Sequence, residues 1–131
     1  MEFPVKVMLD SNAFDLVAAD DVLPHFLPII RRGYLRFLST PIQEGEIAAI
    51  SDGRKRSQLQ TVPRLVVATP EASTAMPDEI ILHTAQEYAD ILVTEDKFLT
   101  ERCEQNASCR VMNFKHLLGL MIELRTHIGK G

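Results

Sequence analysis

Apolar residues in this chain alternate between two patterns: short runs a few residues long, and longer stretches with apolar positions three and four apart. The short runs predict strands at Val5–Leu9, Tyr34–Leu38, Leu65–Ala68, Ile91–Val93 and Arg110–Met112. The longer stretches predict helices. The first is Leu23–Arg32, stopped by Gly33. Pro41–Ile50 is opened by Ser39 or Thr40 as a cap, with Pro41 in its first turn. Glu79–Tyr88 carries Ile81, Leu82 and Ala85 on one face, and Lys97–Gln105 and Phe114–Arg125 complete the set. Ser51–Ser57 reads as a polar break, and Met76-Pro77-Asp78 as a stop and restart. Nearly all-apolar strands alternating with helices imply a parallel sheet covered on both faces. The expected class is therefore α/β, with right-handed helical crossovers.

Composition narrows this picture. The 131 residues suit a single domain spanning 1–131. Hydrophobic residues at 46% and charged residues at 24% give a soluble globular balance. A net charge of −4 excludes nucleic-acid binding through bulk positive charge and leaves only a local basic face. Cys103 and Cys109 fit no zinc spacing and read as two reduced thiols in a cytoplasmic protein. Glu2, Lys6 and Asp10 interrupt the first ten residues, so no leader is expected there. The longest apolar stretches, such as Leu117–Ile122, are too short to cross a bilayer.

Four acids occupy equivalent places in this plan. Asp10 stands just past the first strand, and Glu46 lies in the helix after the second. Asp78 opens the helix before the fourth strand, and Asp96 stands just past that strand. A ten-residue helix is about 15 Å long, and a strand of four or five residues covers roughly 13–17 Å. Helix and strand run in opposite directions, so Asp78 and Asp96 return to the same edge. Helical side chains lean toward the N-terminus, which tilts Glu46 to that edge as well. Four carboxylates at one rim need raised pKa values or a cation among them. Oxygen ligands without His or Cys suit a hard ion, Mg²⁺ or Mn²⁺. Such ions activate water and stabilise charge on a phosphodiester under attack.

These residues carry a family resemblance. Val7–Phe14 (VMLDSNAF) resembles the opening strand and D-T/S-N of PIN-domain nucleases, and Thr40–Ile47 (TPIQEGEI) resembles their second motif. Asp78 through Asp96 resembles their third and fourth motifs in spacing. Glu44 competes with Glu46 for the second acid; Glu46 is preferred because it precedes an aliphatic residue, Ile47. The resemblance covers nearly the whole chain. It implies a three-layer α/β/α sandwich with a central parallel sheet. It also implies Mg²⁺- or Mn²⁺-dependent endoribonuclease activity leaving 5′-phosphate and 3′-hydroxyl ends. Asp10, Asp78 and Asp96 would hold the metal, and Glu46 would complete the cluster directly or through a water. Many small prokaryotic relatives are VapC-type toxins, so the implied partners are an RNA substrate, an antitoxin protein and a second copy in a homodimer.

Each residue also has a plainer reading. Asp10, Asp78 and Asp96 are good helix caps by sequence, and Glu46 can be an ordinary helix-surface acid. Ser11, Asn12 and Thr94 either orient the carboxylates and coordinated water or bond locally in turns. Asp15 and Glu95 stand close to the proposed ligands, and Asp90 reads as solvated at a helix-to-strand turn. His25, His83, His116 and His127 show no ligand spacing. Arg54, Lys55 and Arg56 are either a solvated face or an RNA-backbone contact beside the acids. The alternative function is a PIN-fold RNA-binding or assembly module without turnover. A haloacid-dehalogenase-like phosphatase would need a second Asp where Asn12 stands, and a receiver-like phosphoacceptor would need paired acids after the first strand.

Overall fold

The computed structural model describes residues 2–68, 77–106 and 110–129. Among them the elements run β1 (Val5–Leu9), α1 (Ser11–Val17), α2 (Leu23–Arg31), β2 (Leu35–Ser39), α3 (Pro41–Ala48) and α4 (Gly53–Gln60). They continue β3 (Leu65–Val66), α5 (Pro77–Tyr88), β4 (Ile91–Val93), α6 (Lys97–Asn106), β5 (Arg110–Met112) and α7 (Phe114–Gly129). The strands lie in the order β3-β2-β1-β4-β5, and every pairing is parallel. The chain builds the sheet outward from β1 to one side, then returns to add β4 and β5 on the other. The reversal falls between β1 and β4, where open parallel sheets form a crevice at the strands' carboxyl ends.

Strand alternation divides the core into two. Val5, Val7, Leu9, Phe37 and Val93 pack with α1, α2 and α7 residues such as Phe14, Phe26, Ile29 and Leu124. Met8, Leu38 and Leu92 point the other way, against Ile81, Leu82 and Ala85 of α5 and Leu99 and Cys103 of α6. The result is helix, sheet, helix. Each fully buried side chain of this size is worth about 1.5–3 kcal/mol in transfer free energy. Cys103 belongs to this interior, whereas Cys109 lies outside the described residues.

The element ends follow local chemistry. Gly33, at φ +79°, takes the left-handed position that ends α2. Gly33 and Tyr34 amides return to the carbonyls of Ile30 and Ile29 at 3.1 and 2.9 Å, a Schellman closure. At α3, Thr40 and Gln43 form a reciprocal capping box. The Gln43 side chain also donates to the Leu9 carbonyl at 2.8 Å. That bond ties the start of α3 to the end of β1, one residue before Asp10.

Three expectations are corrected. The polar break at Ser51–Ser57 is largely helix α4, because the Asp52 carboxylate accepts from the amides of Arg54 and Lys55. Its one buried side chain, Leu59, gives no apolar periodicity. The third strand ends at Val66, not Ala68, and its Leu65 and Val66 are 46% and 45% exposed. It is an open edge rather than a strand covered on both faces. The helix expected from Glu79 starts at Pro77, so Asp78 sits inside its first turn. Proline suits that first position because its missing N–H has no helical partner to lose. No helix among the described residues is long and apolar enough to cross a membrane.

Candidate active site

The site forms at the carboxyl ends of β1 and β4. The amide of Asp10 continues the ladder to the Val93 carbonyl at 3.2 Å, and the Thr94 amide does so to Met112 at 3.1 Å. Both strands therefore end in register. Asp10 then caps α1: its Oδ1 accepts from the Ala13 amide at 2.7 Å. Its Oδ2 accepts from the Thr94 hydroxyl. The same Thr94 oxygen accepts from the Asp96 amide at 3.0 Å. One buried hydroxyl thus links the residues that end the two neighbouring strands.

Asp10 is only 4% exposed. Burial pushes its carboxyl pKa above the usual 3.8, and the Thr94 and Ala13 bonds pull against that rise. The charges of Asp96 and Asp78 add to it. Asp10, Asp78 and Asp96 therefore share one electrostatic field. No ion pair among the described residues involves any of the three.

Asp96 is half-buried, and its Oδ1 accepts from the amides of Phe98 and Leu99 at 2.7 and 3.3 Å. It is a cap for α6 and a member of the rim at once. Asp78 is exposed in the first turn of α5, where the helix dipole favours negative charge. Glu46 approaches from α3, where the Ser11 hydroxyl reaches its Oε2 at 3.5 Å. Asn12 is exposed on α1 beside them.

Glu44 and Glu46 differ in what each touches. Arg64 holds Glu44 in two bonds at 2.6 and 2.9 Å, and the Ser39 hydroxyl adds a third at 2.6 Å. The Arg64 bond, chiefly, keeps the Glu44 carboxyl below the usual carboxylate range. Arg64 also donates to the carbonyls of Leu59, Gln60 and Val62 and lies over the Phe14 ring at 5.3 Å. Glu44 is thus committed to the junction of α3 and α4, and Glu46 is the acid presented to the cleft.

Other acids are likewise engaged elsewhere. Glu95 accepts from the Phe114 amide at the start of α7, and Glu79 pairs with Arg102 at 2.7 Å. Asp90 stands at the opposite end of β4 and accepts from the Lys6 amide. The histidines are dispersed: His25 meets Arg125, and His127 packs edge-on to Phe3. Of the basic triplet on α4, Lys55 reaches Asp15 at 3.9 Å, Arg56 donates to the Ile50 carbonyl at 2.8 Å, and Arg54 is exposed. Arg64, Asp15 and Lys55 are the residues that sequence spacing did not connect. The only signal was the i, i+4 relation of Ser11 and Asp15, which puts both on one face of α1.

All the rim donors are oxygens, the set a hard divalent cation prefers. Each oxygen of Asp10 accepts one hydrogen bond and keeps a lone pair for a further partner. Among the described residues no three His, Cys, Asp or Glu side chains are grouped so that they could hold a metal ion by themselves. Mg²⁺ is commonly held by one or two carboxylates, waters and substrate phosphates instead. The donor chemistry of this open rim fits such an ion.

The fold defines the class: this is a PIN-like α/β/α sandwich. The structure is similar to that of the PIN domain endonuclease Utp24, with a TM-score of 0.60. The two share 16% sequence identity over 84% of this chain and 85% of that one. No protein-family model and no curated protein matches the sequence.

Proposed function

We propose that the protein is a divalent-metal-dependent endoribonuclease that hydrolyses RNA phosphodiester bonds at the Asp10 rim. The observation that carries this reading is the buried Asp10 carboxylate, desolvated and crowded by the charges of Asp96 and Asp78. Such a group is most comfortable when a cation shares it. Asp10, Asp78 and Asp96 would hold Mg²⁺ or Mn²⁺, and Glu46 would do so directly or through a water. When bound, the ion supplies an activated water and offsets charge developing on the phosphate.

The chain's own residues set the stage for that chemistry. Thr94 holds Asp10 by its hydroxyl and receives the amide of Asp96, which ties the ends of β1 and β4 to each other. Ser11 steadies Glu46 across the cleft. Gln43 fixes the distance between α3 and β1. Arg54, exposed on α4, would take the RNA backbone beside the rim, and its neighbour Lys55 would meet the RNA with it. The motif resemblance further supports a VapC-type toxin countered by an antitoxin; a small DNA-binding protein encoded next to this chain would bear that out.

The deciding experiment is cleavage of mixed single-stranded RNAs with Mg²⁺, with Mn²⁺ and with EDTA. Cleavage in either metal that EDTA abolishes is the expected result. RNA binding without cleavage in either metal would make the protein a binding module.

A further inference from the structure

We infer that the cleft between α1, α3 and α4 is a subsite for one guanine base of single-stranded RNA; this deepens the nuclease reading and rests on it. The cleft has a volume of about 180 Å³. Pockets for drug-sized ligands run to about 300–1,000 Å³. At about 30 Å³ per water, this one holds roughly six waters. That is room for a flat ring system and not for a whole nucleotide.

Its walls and rim differ in kind. Phe14, Ile47 and Leu59 are buried side chains that give the cleft an apolar lining. Such a lining suits the faces of a heterocycle. At the mouth, Asp15 of α1 and Lys55 of α4 stand 3.9 Å apart, with side chains 46% and 53% exposed. An exposed pair at that separation contributes little to stability. It is therefore available to a ligand at small cost.

The order of charges selects the base. A carboxylate beside an ammonium presents two acceptors next to a donor. The Watson–Crick edge of guanine presents two adjacent N–H donors, at N1 and N2, next to the O6 acceptor. Adenine has an acceptor at N1, which would face the carboxylate. Uracil and cytosine each offer one donor group between or beside acceptors. Guanine alone satisfies both oxygens of Asp15 while O6 takes a bond from Lys55. Unstacked bases of single-stranded RNA are commonly read on that edge.

Position completes the argument. Glu46 and Ser11 line this cleft and bond to each other, and Ser11 directly follows Asp10 of the acid rim in the chain. A base seated here would hold its own ribose-phosphate against the rim, which orients the bond to be cut.

The test uses two end-labelled oligoadenylates, one with a single guanosine, and a third with inosine in its place. Wild type and Asp15→Ala are assayed for cleavage position in Mg²⁺ and Mn²⁺, and for binding by fluorescence anisotropy in EDTA. Wild type should cut beside the guanosine and favour that RNA by roughly tenfold to a hundredfold, the worth of one good bidentate pairing. Inosine, lacking the N2 amine, should lose part of the preference. Asp15→Ala should lose all of it and still cut oligoadenylate at the wild-type rate. Cleavage without base preference, or a preference that survives Asp15→Ala, overturns the guanine subsite and leaves the nuclease reading standing. Guanosine-dependent binding with no cleavage in either metal overturns the nuclease reading and leaves the subsite. Neither cleavage nor preferential binding overturns both.

Discussion

The two ends of the sheet are opposites. At the amino ends of the strands lies the larger groove, about 1,090 Å³, lined among others by Lys6, Arg36, Asp90, Arg110 and Glu123. Charges of both signs line it. Asp90 serves as a latch: its carboxylate accepts from the Lys6 amide at 2.9 Å, and its backbone bonds both Lys6 and Arg110. At the carboxyl ends, Asp10, Asp78 and Asp96 share a field of one sign, and one of them is almost wholly buried. The lesson is that volume does not mark the chemistry. The amino-end groove is roomy and carries charges of both signs, whereas the three carboxyl-end acids carry one sign. Imbalance is what a cation and a phosphate can relieve.

The sharpest way to break this contrast is to neutralise one acid at each end. Asp10→Asn should lower RNA cleavage by about 10²–10³-fold, the usual cost of losing one key electrostatic group. Asp90→Asn, which keeps an acceptor for Lys6, should change it by no more than about twofold. Single-turnover cleavage of a labelled RNA measures both. In EDTA at neutral pH, thermal melting of Asp10→Asn should fall at or above that of wild type, because a buried unpaired charge is removed. A melting point several degrees lower would make Asp10 chiefly the cap of α1.

Within the carboxyl-end region, the two glutamates of α3 sharpen the comparison further. Arg64→Ala leaves Glu44 and three backbone carbonyls without their donor, and should cost about 1.5–3 kcal/mol in urea denaturation. Glu44→Gln should be milder and pH-dependent. The folded pKa of Glu44 is depressed, so the stability it contributes is present above the unfolded value of 4.5. That contribution is lost as pH falls through the lower folded value. Melting curves of wild type and Glu44→Gln should therefore differ at pH 7 and converge in acid. A constant difference would assign the effect to packing.

The smallest effect concerns the basic helix. Replacing Arg54 and Lys55 together by Ala should reduce the slope of log affinity against log salt by about 0.7 for each RNA phosphate that the two side chains neutralise. An unchanged slope would remove α4 from the RNA path. Arg56 is left in place because its guanidinium holds the Ile50 carbonyl.

Much of this molecule is readable from residue order alone. The runs at Val5–Leu9 and Ile91–Val93 read as buried parallel strands, since every side chain in them except Lys6 is apolar. The acids at positions 10, 78 and 96 followed from strand and helix lengths, which return a crossover to the edge it left. The α4 helix escaped because it rests on the Asp52 cap and one leucine, and amphipathic periodicity needs several. The retraction of β3 to two residues escaped too, because apolar sequence does not reveal whether a strand lies at an edge.

The chain's own pattern settled the class of fold, because that depends on local period and element length. It left undecided which glutamate faces the cleft, how buried Asp10 is, and which cation each acid meets. Those depend on partners far apart along the chain, such as Arg64 for Glu44 and Thr94 for Asp10. Burial and pairing are properties of packed neighbours, and packing is decided only when the helices close on the sheet.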